Sequence, residues 1–189
     1  MTSQPPLGPI APGRRQDGRR HGGWAMITID SQRASWQEFS EIVARLNYLV
    51  LATADDDGLP WASPVFFRMN EIGDVFWVSA PGSRHSSNIA ARDAVAATVF
   101  DSTAPVGAAS AAYLVGHASL VHHAGIAEGL GTLNRGLPEP NQLDELEVTG
   151  AGKLRIFRMR VTDRWILVRG SDPRTETEVD ARIPVEPPH

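Results

Sequence analysis

The feature that most restricts how this chain can fold is a succession of short β-rich runs, each closed by turn residues and never alternating strand with helix. Residues 48–54 run into the turn DDDGLP, which carries Gly58 and Pro60; residues 61–69 and 74–80 follow, joined by 70–73. These three segments predict an antiparallel meander. Residues 94–101 and 112–121 are again strand-like around the loop STAPVGAAS, and 154–168 closes the set as one or two strands, with a turn expected at Thr162 and Asp163. Six short strands without a βαβ repeat predict a mainly β, six-stranded antiparallel barrel with attached helices rather than a doubly wound sheet. A barrel of this size fills its own interior, so a ligand is expected outside it, in a groove or at a subunit interface.

The leading helix is announced by Ser35 and Glu38 at capping-box spacing, followed by Phe39, Ile42, Val43 and Leu46 at helical intervals. A short helical stretch is expected after the turn PGS, and another near 126–135, where Gly129 and Gly131 weaken the pattern. Residues 1–25 are dense in Pro, Gly and Arg and predict a disordered tail, with Arg14, Arg15, Arg19 and Arg20 as a solvated extension. Met26 opens the foldable part and is a candidate for the true start. The organisation expected is therefore a tail over 1–25, one domain over 26–170, and a return to tail composition over 171–189.

Charge excludes some partners. With 18 Lys and Arg against 22 Asp and Glu, the net charge of −4 gives no global attraction for nucleic acid, although a local cluster still suffices for a phosphorylated small molecule. The absence of cysteine removes disulfides, thiolate nucleophiles, iron–sulfur clusters and Cys-based zinc sites. No apolar run approaches membrane-spanning length and no apolar segment follows the N-terminal arginines, so neither a membrane span nor a signal peptide is predicted and a cytoplasmic location is expected.

The chemistry concentrates in SAPGSRHSSN, from Ser79 to Asn88, where an apolar strand ends and a helix begins. Ser79, Ser83, Ser86 and Ser87 offer hydroxyl donors, Arg84 a fork of N–H groups, and a Gly-containing turn before a helix adds backbone N–H groups with partial positive charge. His85 donates as well, and a phosphate dianion nearby favours its protonated form. The competing reading is an N-capped surface helix with solvated Arg and His. His117, His122 and His123 do not make a metal site, because six residues of strand separate the outer two by about 20 Å. The run Asp55, Asp56, Asp57 is read as a solvated turn, and no metal is expected.

Taken in order, Leu51-Ala52-Thr53, then Asp57-Gly58-Leu59-Pro60-Trp61, Ser63-Pro64-Val65-Phe66-Phe67, Ser79 through Ser83-Arg84-His85 to Asn88-Ile89, and the strand containing Gly116 and Ala118 resemble the FMN-binding split barrel of the pyridoxamine 5′-phosphate oxidase-like superfamily. The resemblance is close over 35–121 and loose beyond. It implies a homodimer with flavin in a groove at the subunit interface. By position, Ser63, Pro64, Val65 and Phe66 would lie along the flavin and Arg68 near the ring or its substrate. Ser79, Ser83, Arg84 and His85 would hold the phosphate, Asn88 would be a further donor, and Trp165 would approach the ring from the other subunit or serve as a core or interface tryptophan. His85 stands where oxidase members usually carry Lys, which would make phosphate binding depend on pH. The regions 122–140 and 158–170 lack the pattern with which true vitamin B6 oxidases grip their substrate. The reading is therefore an FMN-dependent oxidoreductase acting on another small organic substrate. Its alternatives are an enzyme using deazaflavin F420, with Arg68 and Arg92 extending the basic groove, and a non-catalytic carrier or sensor of flavin or heme.

Overall fold

The computed structural model describes residues 34–175 and 178–187; the expected N-terminal tail, with its arginines and Met26, lies outside them. Helix α1 spans Trp36–Ala44, and the Ser35 hydroxyl accepts from the Glu38 N–H at 3.0 Å. Only this half of the capping box forms, because the Glu38 carboxylate turns to Arg174, which donates to it at 2.9 and 3.1 Å. Phe39 and Val43 face the core, as their spacing requires.

Strands β1 (Tyr48–Ala54), β2 (Pro60–Met69) and β3 (Val75–Ser79) form the meander. Gly58 and Gly73, at φ of +84° and +88°, supply the left-handed residue that each tight connection demands. Helix α2 (Arg84–Ala91) follows, then β4 (Ala94–Phe100), β5 (Ala111–Leu120), α3 (Ile126–Leu133), α4 (Glu145–Val148) and β6 (Arg155–Val168). All pairings between these strands are antiparallel, in the order β3-β2-β1-β4-β5-β6, and β3 also pairs with β6 to close a six-stranded barrel.

Alternation along the strands fills the interior with Leu49, Leu51, Val65, Phe67, Val75, Trp77, Leu114 and Met159, all buried. Small residues at Ala97, Ala112 and Ala118 leave room for Trp77, which stacks on Phe157. A second cluster lies outside the barrel, where α3 and α4 pack Leu133 and Val148 on Phe76 and Ile156. Gly129 is explained there: an added Cβ would lie 2.9 Å from Ile156 Cγ2, so the glycine that weakens α3 in isolation lets it approach the sheet.

Two expectations are corrected. Residues 155–168 form one continuous strand without a turn; Thr162 is instead a bulge, the extra residue between the pairs Val115↔Asp163 and Gly116↔Val161, and its hydroxyl donates to the Asp163 carboxylate at 2.7 Å, with the Val115 carbonyl 3.2 Å away. Gly116 is required at that bulge, because a Cβ would fall 2.1 Å from the Arg160 carbonyl oxygen. The segment 171–189, expected as a tail, contains a seventh strand, β7 (Ala181–Pro184), paired with the end of β6. Ile183 and Val185 are buried in the main core, and Val185 bridges to Ala34. Arg174, held to both Glu38 and Asp172, ties this segment to the start of α1.

Candidate functional site

Helix α2 lies over one end of the barrel, and its N-terminus brings together side chains from three elements. Ser83 caps it, with its hydroxyl accepting from the Ser86 N–H at 3.4 Å. The His85 ring stands at the centre. Its Nδ1 lies 3.1 Å from the Ser63 hydroxyl on β2, and its Nε2 lies 2.7 Å from Ser79 at the end of β3 and 3.0 Å from Ser83. Ser63 faces inward from β2 because of the strand alternation, but at the barrel end that direction points beneath α2 rather than into the core. Ser86 completes the cluster, 2.8 Å from Ser83 and donating to the Ala80 carbonyl at 3.0 Å. Burial pushes the His85 ring below its ordinary value of 6.5, so the imidazole is neutral at pH 7.

Four of the expected residues thus meet: Ser63, Ser79, Ser83 and His85. Arg84 sits beside them but turns toward the β1–β2 turn, with its guanidinium 4.4 Å from the Trp61 ring and 3.9 Å from Asp55. It is half exposed. Asn88 does not join the cluster; it is buried and donates to Thr53 Oγ1 at 3.0 Å, which fixes α2 on the barrel. Val65 points into the core, so only its backbone faces the groove, whereas Pro64 and Phe66 face outward. Arg68, at the far end of β2, donates to its own Phe67 carbonyl and covers the Phe66 ring at 4.5 Å. Burial lowers its pKa. It lines a cavity of about 450 Å³ between α1 and the β2 end, together with Arg135, Trp36 and Met69.

The outer face of β2, β1, β4 and β5 is apolar. Register pairs set Ala62, Ala52, Ala96 and Val115 in one row and Pro64, Val50, Thr98 and Tyr113 in the next. On this face Tyr48 and Phe100 are 62% and 43% exposed. Trp165 extends the second row on β6, opposite Tyr113. Four inter-strand steps separate it from Pro64, about 19 Å along the sheet.

His117 is paired with Asp93 at 3.1 Å, and His122 and His123 border a separate cavity of about 360 Å³ with Arg155 and Val148. Among the described residues, no group of three His, Asp or Glu is placed to hold a metal, and no helix is long and apolar enough to cross a membrane. Trp61 and Arg135 carried no expected role. Trp61 belongs to the motif at the start of β2, but nothing local announces that an arginine from α2 will cover it; Arg135 meets Arg68 only through the tertiary fold.

The family model for pyridoxamine 5′-phosphate oxidase matches residues 35–162. The chain superposes on the heme binding protein from Mycobacterium smegmatis with TM-score 0.56 and 18% identity, covering 71% of this chain and 55% of that one. The heme storage protein HutZ from Vibrio cholerae gives TM-score 0.53 and 20% identity, covering 67% and 89%. The FAD binding protein from Mycobacterium smegmatis gives 0.53 and 17%, covering 71% and 95%. At these identities the likeness is one of fold. Among curated proteins, no sequence matches.

Proposed function

Because the chain belongs to the pyridoxamine 5′-phosphate oxidase family, we propose that it is a homodimer that binds FMN at the subunit interface and acts as a flavin-dependent oxidoreductase on a small organic substrate. The observation that carries this reading is the cluster of Ser63, Ser79, Ser83 and His85 at the α2 N-terminus, with Arg84 beside it. Hydroxyls, leading helix amides and a neighbouring guanidinium suit a phosphate monoester. On the opposite, outward face of β2, Pro64 and Phe66 lie between that end and Arg68, which shares its cavity with Arg135 and Glu71.

The bound flavin would supply the electron transfer; the chain's residues bind and orient it. The apolar rows on β2, β1, β4 and β5 suit burial against a second copy, which would also bring Trp165 to a groove about 19 Å away on its own subunit. At this cluster the His85 ring is tied on both nitrogens to hydroxyls and offers no free nitrogen to a heme iron, so the cluster suits a flavin phosphate better than heme. F420 is disfavoured because Arg92 turns to the Asp56 carbonyl and Arg68 lies at the opposite end of β2, so no extended basic groove leads from Arg84.

The test is a titration of the purified protein with FMN and with riboflavin, followed by light scattering. FMN binding at least tenfold tighter than riboflavin, on a dimer, supports the reading. Equal affinities or a monomer saturated with FMN would contradict the site as drawn.

A further inference from the structure

Proton counting in the serine–histidine cluster leads beyond simple phosphate binding. The Ser86 hydroxyl donates to the Ala80 carbonyl, so the 2.8 Å contact between Ser86 and Ser83 takes its proton from Ser83. In the arrangement that keeps every one of these contacts as a hydrogen bond, Ser83 has then spent its only hydroxyl proton, and its 3.0 Å contact with His85 Nε2 is donated by the ring. The neutral ring therefore carries its proton on Nε2, shared between Ser83 and Ser79, and accepts at Nδ1 from the Ser63 hydroxyl. In that arrangement the Ser79 hydroxyl, 2.7 Å from Nε2, accepts from the ring and has no acceptor of its own among the described residues.

A second proton on the ring changes one bond. Nδ1 becomes a donor to Ser63, and the Ser63 hydroxyl proton is released to point elsewhere. Nothing ionic opposes or favours this change from the protein side. Among the described residues the charged groups around α2 are Arg84, already near Asp55; Arg92, on the Asp56 carbonyl; Asp93, paired with His117 on β5; and Arg155 on β6, which donates to the carbonyls of Gly150, Gly152 and Leu154. Strands β1 and β3 carry no carboxylate or basic side chain, and β2 has only Arg68 at its far end.

We infer that binding of a phosphoryl group at this site is coupled to uptake of one proton by His85, which reverses the Ser63 hydrogen bond and frees that hydroxyl as an additional donor. The inference rests on the FMN reading above. His85 is then a positioning residue whose charge is set by the ligand rather than by the protein. Burial holds the free ring below its ordinary value and a bound dianion raises it, so FMN affinity falls by up to about tenfold per pH unit between the free and bound values.

The experiment is calorimetric titration of the full chain with FMN near pH 7, in buffers of equal ionic strength and different ionisation enthalpy, comparing the unmutated protein with His85→Lys. The ligand's own phosphate titration contributes to both and cancels in the comparison. The expected result is about one more proton taken up by the unmutated protein. Equal uptake in both overturns the coupling, whereas absence of FMN binding in the unmutated protein overturns the FMN reading beneath it. Should His85→Lys not fold, the histidine ring resonances of the unmutated protein decide: one ring must titrate at distinctly higher pH when FMN is saturating, and no change in any ring overturns the proposal. Ser63→Ala separates the hydroxyl reversal from simple charge. It is expected to weaken FMN several-fold more near pH 6 than near pH 8.5, and equal losses at both would refute the reversal.

Discussion

Asp74, just before β3, and Ser79, at its close, lie about 17 Å apart, and the two ends of the strand treat polar groups in opposite ways. At its start, Asp74 is buried and receives the Arg158 guanidinium through Nε at 2.8 Å, while Arg158 reaches Glu128 on α3 at 3.5 Å and Asn70 donates to the same Glu128 at 3.0 Å. At its other end, Ser79 and the residues around it form a cluster of hydroxyls and one neutral imidazole, with no ion pair to the ring among the described residues. Charges matched within the chain fasten α3 and the barrel seam together. The hydroxyl cluster is the end that the proposal assigns to a ligand from outside.

That contrast can be broken at either end. The largest effect is expected from Asp74→Ala, which leaves Arg158 without its main partner in a mostly buried setting; a loss of about 3 kcal/mol in urea unfolding is predicted, with FMN affinity of the folded protein nearly unchanged. A fall in FMN affinity at least as large would mean that the two ends are not separate in function.

Arg84→Ala acts on the other end. It should cost about 1.5–3 kcal/mol in FMN binding by removing a charge-assisted contact, and leave riboflavin binding and stability little altered. Equal losses for the two ligands, read by fluorescence quenching, would assign Arg84 to its Trp61 stacking alone.

How much of this was readable in the sequence divides along the same line. The strands were legible because apolar alternation and Gly-bearing turns are local signals, and so were Ser79, Ser83 and His85, which share one short segment. Ser63 entered through family resemblance, since its contact with His85 spans 22 residues and depends on α2 folding back over the barrel. Strand β7 was hidden because only Ile183 and Val185 in a polar, Pro-rich stretch alternate inward, and what makes them a strand is the free edge of β6. The inward turn of Asn88 onto Thr53 and the outward turn of Arg84 onto Trp61 likewise depend on tertiary neighbours.

Acid sharpens the comparison more gently. In the ligand-free protein the folded-state pKa of His85 lies below 6.5, so the unfolded chain binds more protons between the two values. Stability from this group is fully present above 6.5 and is lost as pH falls through that window. Urea midpoints should fall on acidification, less steeply in His85→Gln; identical slopes would remove His85 as the source.

The smallest effect is expected at the paired-charge clasp. Hydrogen bonds from Arg174 hold the Asp172 carboxyl down at about 2, so the clasp persists to strongly acid pH. Arg174→Ala should cost about 1 kcal/mol or less in thermal unfolding, and a larger loss would show that the C-terminal strand depends on it.

The central claim, that the donor-rich end of the barrel holds a flavin phosphate, is tested most directly by the visible absorption spectrum of the purified protein together with mass spectrometry of the small molecule released on denaturation. The account predicts a yellow protein that releases FMN, or a colourless one that turns yellow on taking up added FMN. A protein that carries heme, or that remains colourless and binds no FMN, would contradict it.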